Sequence, residues 1–213
     1  DGIAFHVEEN HLLLAGSIGP SYELLQEYVK GKNMTVELDD DLHIITVQGP
    51  NSIDFLDEQT EANLRDLAFS HQIHTKVCGV DMMVSRTGYS GERGYELYMR
   101  DTEVVGIWDE LMEKGQDFGL KPISFGGLEM VHIESGLMAY GAEATEENTP
   151  WEVNMGWAVS RKKGDFRGKE AVFALEGKEK VKYFGIVADH DDVVEHGAEL
   201  SINGEVVGHV TTP

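Results

Sequence analysis

The amino-acid sequence predicts an α+β fold in which helices pack on antiparallel strands and a β-rich tail follows. Strand-like segments follow one another directly, and helices do not alternate with strands as they do in βαβ units. Near the C-terminal end, Asn203 and Gly204 form an Asn-Gly pair, which readily supplies the two positive φ angles of a type I′ hairpin. These observations favour antiparallel sheets over a doubly wound parallel sheet.

The N-terminal half is predicted to begin with a hairpin whose apolar strands cover residues 3–8 and 11–15. From residue 21 the apolar residues have helical spacing, and Gly31 ends that helix. The pattern then predicts strands at residues 34–38, 42–47, 76–84 and 95–99, and short helices at 52–56 and 61–67.

The clearest helix is predicted at residues 101–118. Ile107 and Leu111 belong to its apolar stripe, and Asp101 or Thr102 can cap its first turn. Further helices are predicted at residues 125–136 and 169–175, and strands at 182–187 and 198–210.

Charge and composition exclude several classes of function. The chain has 213 residues, with 39 acidic side chains against 17 Lys and Arg, which gives a net charge of −22. Such a surface repels phosphate backbones and anionic lipid, so neither nucleic acid nor a membrane is expected as a partner.

Cys78 is the single cysteine, which excludes an internal disulfide and a thiolate metal cluster. The sequence starts and stops within strand patterns, has no signal-peptide pattern and is expected to be a cytoplasmic fragment.

The glycine-rich segment at residues 87–96 (TGYSGERGYE) is the main candidate site. Its glycines are three residues apart, which matches neither a dinucleotide-binding fingerprint nor a Walker loop, and the spacing alone favours a structural turn. Glu96 follows this turn on a predicted strand. A carboxylate held at the end of a rigid strand can accept two parallel N–H bonds, as a pyrimidine or pterin edge presents them. The residues alone leave two alternatives open, a structural turn and a ligand-binding carboxylate.

Other candidates carry weaker signals. Glu134 lies among apolar neighbours in the helix predicted at residues 125–136, so either it is exposed or it belongs to a site. His71 and His74 favour surface or structural roles, and Cys78 is expected to pack in a strand.

Five segments in one order resemble a known family. They are residues 47–51 (VQGPN), 87–96, 133–141 (IESGLMAYG), 149–157 (TPWEVNMGW) and 165–170 (DFRGKE). Together they resemble the folate-dependent aminomethyltransferases, which comprise the T-protein of the glycine cleavage system and related tetrahydrofolate-dependent demethylases. The resemblance implies a folate-binding region at residues 1–150, a connecting segment at 151–176 and an incomplete C-terminal β-barrel at 177–213.

The family resemblance also assigns residues to the site. Glu96 takes the position of the glutamate that binds the pterin ring, and Asp1 matches one of the paired aspartates that include the family's catalytic residue. The aromatic residues that the resemblance implies in the cofactor pocket are Tyr89, Tyr95, Tyr140 and Trp157.

The implied reaction moves a methyl or methylene group to N5 of tetrahydrofolate and needs no metal. The donor is either an aminomethyl group on a lipoylated carrier protein or a small methylated molecule. Leu128 and His132 stand where T-proteins have arginines, which favours the demethylase branch. Two alternatives remain. The first is a folate-binding protein without its own catalysis, either a separate module or the folate domain of a larger dehydrogenase. The second is an acidic structural protein without a ligand.

Overall fold

A computed structural model describes residues 2–16, 20–189 and 192–213. The chain divides into two compact units, Asp1–Ser135 and Gly136–Pro213. The first unit contains strands β1 Ile3–Glu8, β2 His11–Ala15, β3 Leu42–Gln48, β4 Gln72–Val77, β5 Val80–Ser85 and β6 Gly94–Arg100, and helices α1 Ser21–Val29, α2 Ser52–Asp57, α3 Asp101–Lys114 and α4 Phe125–Glu134. A 3₁₀ turn, Gly115–Phe118, extends α3.

A four-stranded antiparallel sheet in the order β3-β6-β5-β4 organises the first unit. Side chains alternate between its faces because successive residues of a strand point to opposite sides. On β6, Tyr95, Leu97 and Met99 belong to the main core, which includes Ile107 and Leu111 of α3.

The opposite face of the sheet carries a smaller apolar cluster. Tyr98 of β6 and Met83 of β5 pack there with Phe5 of the β1–β2 hairpin. Glu96 has the same strand parity as Tyr98, so it shares this second face and not the main core. The carboxylate predicted as a site therefore lies on the sheet face to which the hairpin contributes.

Several predicted elements are confirmed in type and place. The hairpin at residues 3–15 and the Asn-Gly hairpin both form, and so do the helices predicted from residue 21 and at 52–56, 101–118 and 125–136. Asn203 and Gly204 adopt φ of 53° and 86°, as the type I′ reading requires.

Four predicted elements are wrong. Residues 34–38 and 182–187 form no strand and 61–67 form no helix, while 76–84 is a hairpin of β4 and β5 and not one strand. The hairpin turns at Cys78 and Gly79, which have φ of 50° and 81°, so Cys78 lies in a turn and not in a strand. Met34 and Leu38 are exposed, and no sheet in the described part of the chain buries their apolar side chains.

The second unit is mostly irregular and contains one short helix and one hairpin. Its elements are a 3₁₀ turn Gly156–Ala158, helix α5 Lys169–Ala174, and strands β7 Glu199–Ile202 and β8 Glu205–His209. Glu152 is buried and accepts hydrogen bonds from the backbone N–H groups of Thr149 (2.8 Å) and Lys180 (3.0 Å). This carboxylate therefore holds two distant segments of the unit together.

None of the helices formed by residues 2–16, 20–189 and 192–213 has the length and apolar character needed to span a bilayer.

Candidate cofactor-binding site

The Glu96 carboxylate is held by two hydroxyl groups at one of its oxygens. Thr87 Oγ1 donates to Glu96 Oε2 over 2.6 Å, and the Tyr98 hydroxyl donates to the same oxygen over 2.8 Å. Glu96 itself is half-buried, whereas Thr87 and Tyr98 are buried. Oε1 accepts no hydrogen bond from any residue that the structure describes. The site thus presents one anchored carboxylate oxygen and one available to a ligand.

A third hydroxyl supports this arrangement from strand β5. Ser85 is fully buried, and its Oγ lies 2.5 Å from Thr87 Oγ1. Because the Thr87 hydroxyl donates its hydrogen to Glu96, the Ser85 hydroxyl is the donor in this pair. Two neutral hydroxyl groups therefore donate to the carboxylate and a third supports one of them, and the described residues place no Lys or Arg in an ion pair with the carboxylate.

Tyr98 is fixed by its aromatic surroundings. Its ring meets the Phe5 ring edge-on, with centroids 5.6 Å apart and an interplanar angle of 75°. Burial, and then the hydrogen bond to Glu96, raise the pKa of Tyr98 well above its ordinary value. The hydroxyl consequently stays protonated at neutral pH and remains a hydrogen-bond donor.

Gln48 fills the space inside the glycine-rich turn at residues 87–94. Its Nε2 donates to Thr46 Oγ1 (2.7 Å) and to the Thr87 carbonyl (3.2 Å), while Ser90 Oγ donates to its Oε1 (2.8 Å). A Cβ added at Gly88 or Gly94 would lie 2.1 Å from Gln48 Oε1. Glycine at these two positions makes room for the amide.

The third glycine of the turn packs against the end of α4. Gly91 has φ of 71°, and a Cβ there would lie 2.2 Å from Ser135 Oγ. That hydroxyl lies 2.7 Å from the Ser90 carbonyl, to which it can donate. Each glycine of the turn therefore makes room for a particular neighbouring side chain. The turn also brings Thr87 within hydrogen-bond distance of Glu96.

Tyr89 projects from this turn and stacks on His132 of α4. The ring centroids are 5.2 Å apart and the planes differ by 23°. His132 is buried, and Glu134 is exposed. Of these two α4 residues, His132 contacts the glycine-rich turn. Glu134 is exposed, which was one of the two alternatives that the sequence left open.

Tyr95 lies on the opposite face of the sheet from Glu96. It is fully buried, and its hydroxyl donates to the Leu64 carbonyl over 3.0 Å. Arg93 Nη2 donates to the Tyr95 hydroxyl over 2.9 Å and contacts the carbonyls of Leu64 and Arg65. These contacts hold the irregular segment after α2 against the sheet, so Tyr95 can act on the site only through the backbone of β6.

The remaining residues assigned by resemblance lie elsewhere. Asp1 lies outside the described residues. Tyr140 and Trp157 belong to the second unit, where Tyr140 is half-buried and Trp157, in a 3₁₀ turn, is 79% exposed. Within the first unit the structure brings together Glu96 and the turn that carries Tyr89.

No cluster of three or more His, Cys, Asp or Glu side chains suited to a metal occurs within residues 2–16, 20–189 and 192–213. Cys78 is partly buried, and burial followed by the nearby Glu110 carboxylate raises the pKa of its thiol. The Cys78 thiol is therefore a poor nucleophile at neutral pH. Glu96 Oε1, which accepts no hydrogen bond from the described residues, can accept from the N–H donors of a heterocycle.

Three residues of the site were not identified from the sequence: Ser85, Tyr98 and Gln48. Tyr98 has a period-two signal, since it follows Glu96 by two residues on the same strand and must share its face. Gln48 has no such signal, because its contacts with Thr87 and Ser90 join segments that are distant in the sequence. Ser85 lies only two residues before Thr87, but its place opposite Glu96 depends on the pairing of β5 with β6.

Curated proteins of two kinds match nearly the whole chain. The "Heme-dependent oxidative N-demethylase gamma subunit" of Ectopseudomonas mendocina is 34% identical over 99% of this chain and 58% of its own length. Proteins named "Aminomethyltransferase" are 33% identical over the full chain in Caldanaerobacter subterraneus (58% of its length) and in Bacillus subtilis (60%). The chain thus spans about three fifths of these relatives.

A solved structure supports the fold. The glycine cleavage system aminomethyltransferase T from Bartonella henselae superposes with a TM-score of 0.73 and 23% identity, over 94% of this chain and 55% of that one. The α+β fold with antiparallel sheets and packed helices is therefore confirmed. The model of the GCVT N-terminal domain matches residues 1–163, and this chain belongs to that family, as its sequence motifs indicate.

Proposed function

We propose that this chain is the folate-binding part of a tetrahydrofolate-dependent one-carbon transferase. The observation that carries the proposal is the Glu96 carboxylate, anchored at Oε2 by Thr87 and Tyr98 and available at Oε1. Membership of the GCVT family and relatives named as an aminomethyltransferase and an N-demethylase subunit support the same reaction class.

The donor and acceptor groups fit a pterin ring. A carboxylate has about four lone-pair directions. Two of them are used at Oε2, and Oε1 retains two for a ligand. A pterin presents its 2-amino group and the adjacent ring N–H side by side, and this edge can donate to Oε1. The match is between the N–H donors of the ring and the one carboxylate oxygen that the protein leaves available.

The other residues of the first unit shape the pocket around this carboxylate. Tyr89, stacked on His132, provides a rigid aromatic surface on the glycine-rich turn. Gln48 fixes the turn from inside and so fixes the Thr87 donor. By family resemblance alone, Asp1 is proposed as the catalytic carboxylate and Tyr140 and Trp157 as cofactor-binding residues; Tyr95 acts as a buried support of β6.

When bound, tetrahydrofolate supplies the N5 nitrogen that accepts the one-carbon unit. The protein binds and orients the ring, so that N5 faces the donor carbon in line for transfer. A carboxylate such as Asp1 would stabilise the positive charge of an amine or iminium group in the donor. In this scheme Glu96 determines the orientation of the cofactor and takes no part in bond making.

The donor is proposed to be a small methylated amine or a related methyl donor. His132 supports this choice, because it is buried against Tyr89 at a position where T-proteins have an arginine. The aminomethyl group of a lipoylated carrier protein is the second candidate, favoured by the aminomethyltransferase relatives. A non-catalytic folate-binding subunit is the third, favoured by the relative named as the gamma subunit of a demethylase.

Turnover assays on the whole protein separate these candidates. Tetrahydrofolate is supplied with a panel of N-, S- and O-methylated donors, with and without lipoylated carrier protein and ammonia. Methyl or methylene transfer from a small donor, independent of the carrier, is the expected result. Dependence on the carrier would assign the glycine-cleavage reaction, and folate binding without any turnover would assign a binding subunit.

The wider organisation is part of the same proposal. Residues 1–150 form the folate-binding region, 151–176 a connection, and 177–213 the start of a β-barrel domain that a longer chain completes. The β7–β8 hairpin supports the barrel, because Ile202, Val206 and Val207 are exposed apolar side chains of the kind that further strands cover.

A further inference from the structure

We propose that Tyr98 and Thr87 are positioning residues, which act on the cofactor only through Glu96, and that Ser85 orients Thr87. This inference rests on the proposed function, since it concerns how the folate-binding carboxylate is held. The three hydroxyl groups form one hydrogen-bonded set, with Ser85 donating to Thr87 and both Thr87 and Tyr98 donating to Glu96 Oε2.

The hydrogen bonds of these hydroxyl groups fix the orientation of the Glu96 carboxylate. Both donors meet the same carboxylate oxygen, so the plane of the carboxylate and the direction of Oε1 are fixed together. A side-chain carboxylate otherwise rotates broadly about its last torsion angle. Ordering that rotation before the ligand arrives removes an entropy cost from binding.

The hydroxyl donors are held rigidly, because each is buried and fixed by its own contacts. Thr87 and Ser85 are 5% and 0% exposed, and Gln48 Nε2 donates to the Thr87 carbonyl. The Tyr98 ring is held by Phe5 of the β1–β2 hairpin. The hairpin, distant in sequence from Glu96, therefore contributes to the orientation of the cofactor through Phe5 and Tyr98.

The neutrality of the donors also matters for ligand choice. Hydroxyl groups stabilise the carboxylate without cancelling its charge, as an arginine partner would. The full negative charge remains available to polarise N–H donors of an uncharged ring. Ligand specificity therefore depends on N–H donors at the pterin edge. The three hydroxyl groups affect this specificity because they fix the orientation of the Glu96 carboxylate.

A double-mutant cycle tests the positioning role. Tetrahydrofolate affinity is measured by calorimetry under anaerobic conditions on the whole protein, for Tyr98→Phe and Thr87→Val, each in the wild-type and the Glu96→Gln background. We expect each single variant to bind about 5- to 10-fold more weakly. In the Glu96→Gln background the same changes should alter affinity less than about 2-fold, because residues that act through one group are not additive.

Two control variants and one stability measurement separate positioning from folding. Thr87→Ser keeps the hydroxyl and should restore wild-type affinity. Thr75→Val removes the hydroxyl of a β4 threonine that lies 3.0 Å from the Thr60 hydroxyl, and it should leave affinity unchanged. Thermal unfolding of every variant confirms that the compared proteins are folded at the assay temperature.

The possible outcomes are distinct. Wild-type affinity in Tyr98→Phe and Thr87→Val, or equal losses in both backgrounds, would overturn the positioning role and leave the proposed function intact. A wild-type protein that does not bind tetrahydrofolate would contradict the proposed function itself, and the positioning role with it.

Discussion

At the scale of single residues, the candidate site depends on how one carboxylate is partnered. Glu96 is half-buried without a cationic partner among the described residues, which is costly unless hydrogen bonds compensate. The compensation comes from buried hydroxyl groups at one oxygen. These hydrogen bonds leave the second oxygen available, and that oxygen is the basis of the proposed ligand contact.

Replacing Glu96 by alanine should weaken tetrahydrofolate binding at least about 10-fold, because the paired donors of the pterin would lose their acceptor. Calorimetric titration of the whole protein measures the change. Glu92→Ala is the matched control, since Glu92 is an exposed carboxylate in the same turn. Unchanged affinity in Glu96→Ala would remove the residue from the site.

Glu152 makes a residue-scale prediction about pH. Hydrogen bonds from the Thr149 and Lys180 backbones lower the pKa of this carboxyl below its ordinary value of 4.5. A lowered pKa in the folded state stabilises the fold above the ordinary pKa, and that contribution is lost as the pH falls through the folded-state pKa. Glu152→Gln should therefore reduce stability at pH 7, with a difference from wild type that shrinks as the pH falls below 4.5.

Denaturant unfolding at a series of pH values measures that difference. The control is Glu147→Gln, which changes an exposed carboxylate in the same region and should follow the wild-type curve. A constant gap between Glu152→Gln and wild type across the whole pH range would show that the charge of Glu152 is not what stabilises this unit.

At the scale of elements, the glycine-rich turn joins the fold to the site. Its glycines at positions 88 and 94 accommodate the Gln48 amide, and the amide in turn bonds the backbone of Thr87. The turn is thus built around a polar side chain from a neighbouring strand. Its sequence resembles a ligand-binding loop, yet the structure gives its glycines a packing role, while Glu96 and Tyr89 are the residues proposed to contact the ligand.

Gly88→Ala should destabilise the first unit by about 2 kcal/mol, because the new methyl group displaces the Gln48 amide from three hydrogen bonds. In a Gln48→Ala background the same change should cost less than about 0.5 kcal/mol, because the space is already empty. Urea unfolding provides both values.

Gly106→Ala is the control for this cycle, since a Cβ at that position of α3 meets no atom within 4 Å. It should leave stability unchanged or raise it slightly through helix propensity. Equal costs of Gly88→Ala in the two backgrounds would show that Gln48 does not determine the need for glycine.

The elements that sequence predicts correctly are those with local signals. The α3 stripe, the Asn203-Gly204 turn and the first hairpin each depend on neighbouring residues. Residues 34–38 and 182–187 have a strand-like pattern but no strand pairs with them in the described part of the chain, and pairing is a long-range property. The sequence predicts Glu96 as a candidate site residue, whereas Ser85, which donates to Thr87, is placed opposite Glu96 only once β5 and β6 are paired.

At the scale of the whole molecule, the net charge of −22 is the dominant property. Self-repulsion of this size opposes compaction, and salt screens it. Tm should rise when NaCl increases from about 0.1 M to about 1 M, over which the Debye length falls from about 10 Å to about 3 Å.

The same scans near pH 4.6, the isoelectric point of the sequence, provide the control, because the net charge is then close to zero and the salt effect should largely disappear. A salt effect of equal size at pH 4.6 and pH 7 would mean that general salting effects, and not charge repulsion, control stability.

The chain spans about three fifths of its curated relatives, and the hydrogen-bonded set around Glu96 lies in its first unit. The family was predictable because five motifs occur in one order over most of the sequence. The methyl donor was not, because no sequence motif describes the groups that contact it.

The most direct measurement is a crystal structure of the whole protein with a reduced folate bound. We predict that Glu96 Oε1 lies about 3 Å from the 2-amino nitrogen or the adjacent ring nitrogen of the pterin, with Thr87 and Tyr98 still bonded to Oε2. A pterin bound at another surface, with Oε1 in contact only with water, would contradict it.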